Sequence, residues 1–243
     1  MVLEEKYFTG FQYVGTDLKL KNTSILCMLE DLAGMHGILA GENLLYSPSV
    51  WLLSAYRVKI KRRAIYGERL TVRTWARETR NFFACREFEI LDEKNEVIVC
   101  AISEWAHVMR DGSGFSKATP ELIAAYEAEP ERTNFGPFRI KRPKEADEIE
   151  NELTYTVGRN YMDANRHMNN VYYLELAQMV LKEELPDDIY ANSFDIFYFK
   201  EIKCGDTVKC RLSPMIDGKR TVSVYSEDGT VLHARMVLSP NAE

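Results

Sequence analysis

The chain has 243 residues, 46% of them hydrophobic, so it can bury a proper core and is not a disordered polymer. That length suits one large domain or two of about 120 residues. The net charge of −6 argues against generic nucleic-acid binding, which depends on a basic surface. Five cysteines (Cys27, Cys85, Cys100, Cys204 and Cys210) form no C-x-x-C pair and read as reduced thiols. With no run of about 20 apolar residues and no signal-like start, a cytoplasmic chain without a membrane role is expected.

In chain order, Lys6 to Gly15 reads as a strand rich in Tyr, Phe and Val. Thr23 and Ser24 offer hydroxyl caps to a helical pattern from Ile25 to Leu39. Gly34 and Gly37 inside that helix predict close packing of its backbone against a sheet. From Ser49 to about Met109 the apolar residues alternate: Val58 and Ile60 with Lys59 and Lys61, Leu70 and Val72 with Thr71 and Arg73, Phe88 and Ile90 with Glu87 and Glu89. This period of two predicts a half-buried antiparallel sheet, with a hairpin tip at Asp92 to Asn95. Residues 111–150 contain Asp111-Gly-Ser-Gly114, a short helical pattern from Thr119 to Glu129, and a charged stretch marked by prolines. They read as a linker between residues 1–110 and 151–243.

After the linker the first pattern returns. A strand near Thr154 to Gly158 precedes Tyr161-Met-Asp-Ala-Asn-Arg-His-Met-Asn-Asn-Val-Tyr-Tyr173. Asp163, Asn165 and His167 set a carboxylate, an amide and an imidazole within five residues of one another. Asn169 and Asn170 stand where a helix is capped, and Val171, Leu174, Ala177, Gln178 and Leu181 predict a helix running to about Glu184. The polar residues therefore sit at a helix entrance, where unpaired amides and the helix dipole can hold an oxyanion, here at the N–H groups of Asn170 and Val171. Four strands follow, at Phe194–Lys203, Thr207–Met215, Arg220–Ser226 and Thr230–Leu238, with tight turns at Asp217-Gly218 and Asp228-Gly229.

Laying Asp17 on Asp163 and Gly67 on Gly205 gives two copies of one strand–helix–four-strand pattern. In that register Lys19 and Lys21 fall where the second copy has Asn165 and His167, and Arg63 falls opposite Glu201. One copy carries Asp, Asn, His and Glu; the other does not.

A helix packed along an antiparallel sheet, with a polar loop at the helix entrance, describes the hotdog fold, and the repeat predicts an α+β tandem double hotdog. The loop from Asp163 to Tyr173, followed by Tyr198-Phe-Lys-Glu201, resembles the acyl-acyl-carrier-protein (acyl-ACP) thioesterases of plants and bacteria over nearly the whole chain. The resemblance implies that Asp163, Asn165, His167 and Glu201 form the catalytic group and that no cofactor or metal is needed. Plant members often carry a cysteine directly after that glutamate; here the position is Ile202, which favours a water or carboxylate route over a Cys–His one. The implied partner is an acyl carrier protein with its phosphopantetheine-linked acyl chain, met by a monomer or a homodimer.

An acyl chain needs an apolar slot, expected in the first half, with Leu26, Leu29, Leu32, Met35 and Trp51 as lining candidates; ordinary core packing is the competing reading for each of them. An acidic carrier needs a basic landing area, for which Lys59, Lys61, Arg62 and Arg63 form the densest cluster and Lys141, Arg142 and Lys144 a second. Three alternatives share or border this fold: an acyl-CoA thioesterase, an enoyl-thioester hydratase (whose loop differs by a proline and one residue of spacing), and a non-catalytic acyl-thioester sensor.

Overall fold

The computed structural model describes residues 1–43, 46–136, 139–181 and 191–241, and the chain divides into two compact units, Met1–Ile140 and Lys141–Glu243. Among the described residues no helix is long and apolar enough to cross a membrane.

The first unit runs β1 (Val2–Phe8), α1 (Asn22–Leu39), β2 (Ser49–Ile60), β3 (Arg69–Arg80), β4 (Phe83–Leu91), β5 (Val97–Met109) and α2 (Pro120–Ala125). Its strands lie in the order β1-β3-β4-β5-β2 with every neighbour antiparallel. The alternation read from sequence places Tyr56, Val58 and Ile60 in the core while Arg57 and Lys59 stay half-buried. Leu26, Leu29, Leu32 and His36, spaced by three and four, are buried on α1. Burial of each leucine contributes roughly 1.5–3 kcal/mol, which fastens α1 to the unit. The expected hairpin tip is present: Asn95 takes a φ of 62°, and Asp92 Oδ1 accepts from the N–H groups of Lys94 and Glu96.

Several details differ from the expectations. β1 begins at Val2 and ends at Phe8, and Phe11–Tyr13 is a 3-10 turn. The α1 helix starts at Asn22, one residue before the expected caps; Thr23 and Ser24 are buried inside its first turn and no side chain caps it. A Cβ on Gly34 would meet nothing within 4 Å, and one on Gly37 would meet Glu42 and the Tyr126 hydroxyl, so these glycines do not mark a close approach to a sheet. Much of the stretch read as a linker is fastened to the first unit. Trp75 Nε1 donates to the Arg132 carbonyl at 2.8 Å, the Asn134 N–H to the buried Glu87 carboxylate at 2.6 Å, and the Ile140 N–H to Glu104 at 3.1 Å.

The second unit contains β6 (Asn151–Thr156), α3 (Tyr173–Val180), β7 (Ser193–Tyr198), β8 (Thr207–Leu212), β9 (Arg220–Ser226) and β10 (Leu232–Ser239). Its strand order, β6-β8-β9-β10-β7, repeats that of the first unit strand for strand. α3 stops at Val180, whose carbonyl accepts from the Asn151 side-chain amide at 2.8 Å; Leu181 is extended, and residues 182–184 of the expected helix lie outside the described residues. β7 stops at Tyr198, where the expected strand would have continued to Lys203. Asp217 and Gly218, with φ of 50° and 71°, form the two-residue turn that suits the twist of a hairpin.

The hydrogen bonds of the two entrance loops fix how the copies correspond. Gly15 N–H bonds the Lys19 carbonyl at 2.9 Å, as Asp163 N–H bonds the His167 carbonyl at 2.8 Å. Leu20 N–H bonds the Ala64 carbonyl as Met168 N–H bonds that of Ile202, and Gly67 N–H bonds Thr9 as Gly205 N–H bonds Val157. Leu18 and Arg166 hold matching positive φ of 61° and 65°, as do Gly67 and Gly205 at 94° and 90°. The loop register is thus two residues from the expected one: Gly15 stands on Asp163, Asp17 on Asn165 and Lys19 on His167, while Arg63 stands on Glu201 as read. Matching aspartate to aspartate misplaced the loop; the residue of positive φ, invisible without backbone geometry, sets it. In this register the first copy presents Lys19 and Arg63 where the second presents His167 and Glu201.

Candidate active site

The entrance loop of the second unit is built around Asp163. Its Oδ1 accepts the N–H groups of Asn165 at 2.8 Å and His167 at 3.2 Å, and its Oδ2 accepts the Asn165 side-chain amide at 3.2 Å. Both carboxylate oxygens are therefore spent on the loop, which Arg166 closes with its positive φ. Asp163 binds the backbone of His167 and fixes the loop.

The loop is then stitched to the segment after β7. His167 pairs with Lys203 as an isolated antiparallel bridge, and the Met168 N–H donates to the Ile202 carbonyl at 2.8 Å. This pairing brings together two residues far apart in sequence: His167 Nε2 lies 3.6 Å from Glu201 Oε1, with the side chains 36% and 48% exposed. Partial exposure matters because a water can reach both groups. The distance is slightly long for a hydrogen bond. Lys203 Nζ also lies 3.8 Å from the same Glu201 oxygen, a surface-type ion pair that contributes little. Cys204 is exposed and Gly205 keeps its anchoring turn, so Ile202, not a thiol, follows Glu201.

Asn169 caps the 3-10 turn Asn170–Tyr172 that leads into α3, its Oδ1 accepting the Val171 N–H at 2.9 Å. This corrects the expected oxyanion pair, because the Val171 N–H is already used by the cap. The Asn170 N–H bonds no described residue, and the Asn170 carbonyl accepts from the Tyr198 hydroxyl at 3.1 Å. Two tyrosines missed by sequence reasoning border the site. Tyr173, buried at the start of α3, packs edge-to-face on Tyr198 at 5.3 Å, and burial followed by the Glu201 carboxylate pushes its phenol well above the ordinary tyrosine range. Both stand inside the motif stretches that carry the resemblance, where sequence assigns neither a role of its own.

The other candidates fall elsewhere. Leu26, Leu29 and Leu32 are fully buried core residues, Met35 is exposed, and the Trp51 ring lies 4.6 Å from that of His107. In the basic cluster, Arg62 is held by Glu68 at 2.9 Å through both nitrogens and by Asp92 at 3.0 Å, while Arg63 Nη1 donates to the Leu20 carbonyl at 2.8 Å. Both arginines are bonded within the first unit, though Arg62 stays exposed; Lys61 is exposed and Lys59 half-buried. Arg142, of the second cluster, lies over the Phe199 ring at 4.8 Å.

One helix on a five-stranded antiparallel sheet, twice in tandem, with an Asp–Asn–His loop and a glutamate at one helix entrance, is the double hotdog of a thioester hydrolase. The acyl-ACP thioesterase N-terminal domain model matches residues 1–126 and the C-terminal domain model residues 144–234. The chain belongs to the acyl-ACP thioesterase family, whose reaction is hydrolysis of fatty acyl-ACP thioesters. Among solved structures, an acyl-ACP thioesterase from Bacteroides thetaiotaomicron is similar in fold, with a TM-score of 0.83 at 20% identity, covering 98% of this chain and 97% of that one. The 12:0-ACP thioesterase from Umbellularia californica gives a TM-score of 0.83 at 14% identity, covering 98% and 92%. Comparison with curated protein sequences gives no match.

Proposed function

We propose that the second unit hydrolyses the thioester with a water held between Glu201 and His167. Glu201 polarises the water, and His167 takes its one released proton as the water oxygen attacks the thioester carbonyl carbon. The carbonyl oxygen becomes an oxyanion that the Asn170 N–H faces at the helix entrance. Collapse breaks the C–S bond, and His167 returns the proton to the departing sulfur. The products are a free fatty acid and the carrier's phosphopantetheine thiol. Asn165 orients the thioester or the water from a loop that Asp163 keeps rigid. The first unit, lacking the histidine and glutamate, is assigned to the acyl chain, and Lys59 and Lys61 to the acidic carrier.

The observation that carries this reading is the 3.6 Å approach of His167 to Glu201, set against Lys19 and Arg63 at the same places in the other copy. The test is thiol release from a panel of acyl-ACP and acyl-CoA thioesters. Carrier thioesters should be turned over with much the higher kcat/KM; turnover of CoA thioesters alone would instead make the protein an acyl-CoA thioesterase of the same fold.

A further inference from the structure

Glu201 lies outside regular structure, just past the end of β7, and a partly exposed glutamate side chain there is free to swing away from His167 or toward Lys203. What holds it comes from behind. His233, itself buried, directs ring Nδ1 at the carbonyl oxygens of both Lys200 and Glu201, at 3.2 and 3.1 Å. Carbonyl oxygens only accept, so Nδ1 carries the proton and donates to both. The main chain reciprocates: the His233 carbonyl accepts the N–H groups of Phe199 at 2.8 Å and Lys200 at 3.3 Å. One residue thus makes four hydrogen bonds to the three residues that end at Glu201.

The position of His233 explains how it does so. The pairing of β10 with β9 shifts register between Leu232 and Ala234, so His233 is the extra residue of a β-bulge. Bulges beside active sites re-aim a side chain out of the regular ladder. On the other flank, the Tyr198 hydroxyl donates to the Asn170 carbonyl at 3.1 Å, and the Tyr173 ring packs on that of Tyr198 at 5.3 Å. The two tyrosines cross between the helix entrance and the Glu201 segment, ring edge against ring face.

We propose that His233, with the Tyr198–Tyr173 pair, is a positioning device that holds Glu201 against His167, so that His233 acts on the reaction through Glu201 without touching substrate. This rests on Glu201 and His167 being the reacting pair. A shift of about 1 Å at such a pair costs up to roughly a hundredfold in rate.

The test is a double-mutant cycle on acyl-ACP hydrolysis with His233→Ala, His233→Asn and Glu201→Gln, plus Tyr198→Phe as a milder variant that removes one hydroxyl. His233→Ala should lower kcat by roughly tenfold to a hundredfold. KM should stay within about twofold, because substrate binding is not its task. His233→Asn, whose amide nitrogen can sit near the place of Nδ1, should recover most of the loss. In the Glu201→Gln background His233→Ala should add little further loss, since both act through one group. A folded His233→Ala protein with wild-type kcat, or a loss that multiplies fully with that of Glu201→Gln, overturns the proposal. If His233→Ala does not fold, Tyr198→Phe carries the same cycle, with full multiplication again the contrary result. If Glu201→Gln alone is fully active, the underlying site assignment fails, and with it the clasp; an impaired Glu201→Gln with an additive His233→Ala removes the clasp alone.

Discussion

His167→Ala is expected to slow thiol release from an acyl-ACP thioester by about 10²–10⁴-fold, the usual contribution of a positioned acid–base group. The substitution is a clean probe because the hydrogen bonds that hold the loop come from the His167 backbone. The loop is held by the His167 N–H on Asp163, its carbonyl on the Asp163 N–H, and the bridge to Lys203. Those bonds persist in alanine, so the variant should fold with an unchanged circular dichroism spectrum and nearly unchanged thermal stability. A loss confined to kcat would place His167 in the transition state; a rise in KM alone would place it in substrate binding.

Between pH 7 and pH 4 the protein should lose about 3 kcal/mol of stability through one residue, His36. His36 is fully buried on α1, and its Nδ1 accepts from Arg86 Nη1 at 2.8 Å, a bond that requires an unprotonated nitrogen. Burial first, then the Arg86 charge, then the amino terminus, push its pKa from 6.5 to about 4. The sign follows directly. In the unfolded chain His36 takes a proton near pH 6.5, whereas in the fold it resists until about pH 4. Its contribution is complete above pH 6.5 and is lost progressively as pH falls to about 4. Asp228, whose carboxyl is held at about 2 by hydrogen bonds from Ser226 and Thr230, contributes its own acid loss only below that window. Urea unfolding at pH 7 and pH 4.5 should therefore show a drop in the wild type that is largely missing in His36→Gln. Equal drops in both proteins would mean that another group carries the acid sensitivity.

Much of the fold was legible because the sheets obey period two and the turns carry their own chemistry. The alternation around Val58, Leu70 and Phe88 predicted strands that exist, and Asp217-Gly218 predicted a turn that exists. Glu201 was reachable through the glycine anchor, because Gly67 and Gly205 require positive φ at one place in each copy. What was not legible depends on contacts between distant segments. The loop register hung on Leu18 and Arg166 adopting a left-handed backbone, which neither residue type advertises. The bulge at His233 depends on how β10 meets β9, and only that shift turns a scattered histidine toward Glu201. Arg62 looked like an unpaired cation because its partners Glu68 and Asp92 lie six and thirty positions away. The Val171 amide was expected to be free because a cap was anticipated without deciding which amide it would consume.

The central claim is that Glu201 works with His167 and not as the partner of Lys203. Both alternatives lie within 4 Å in the structure, so the decisive measurement is kcat for acyl-ACP hydrolysis by Glu201→Gln beside Lys203→Ala. The account predicts that the glutamine variant, folded and nearly isosteric, loses roughly a hundredfold or more, while the lysine variant stays close to wild type. Near-normal turnover by Glu201→Gln would contradict it and return that carboxylate to the surface ion pair.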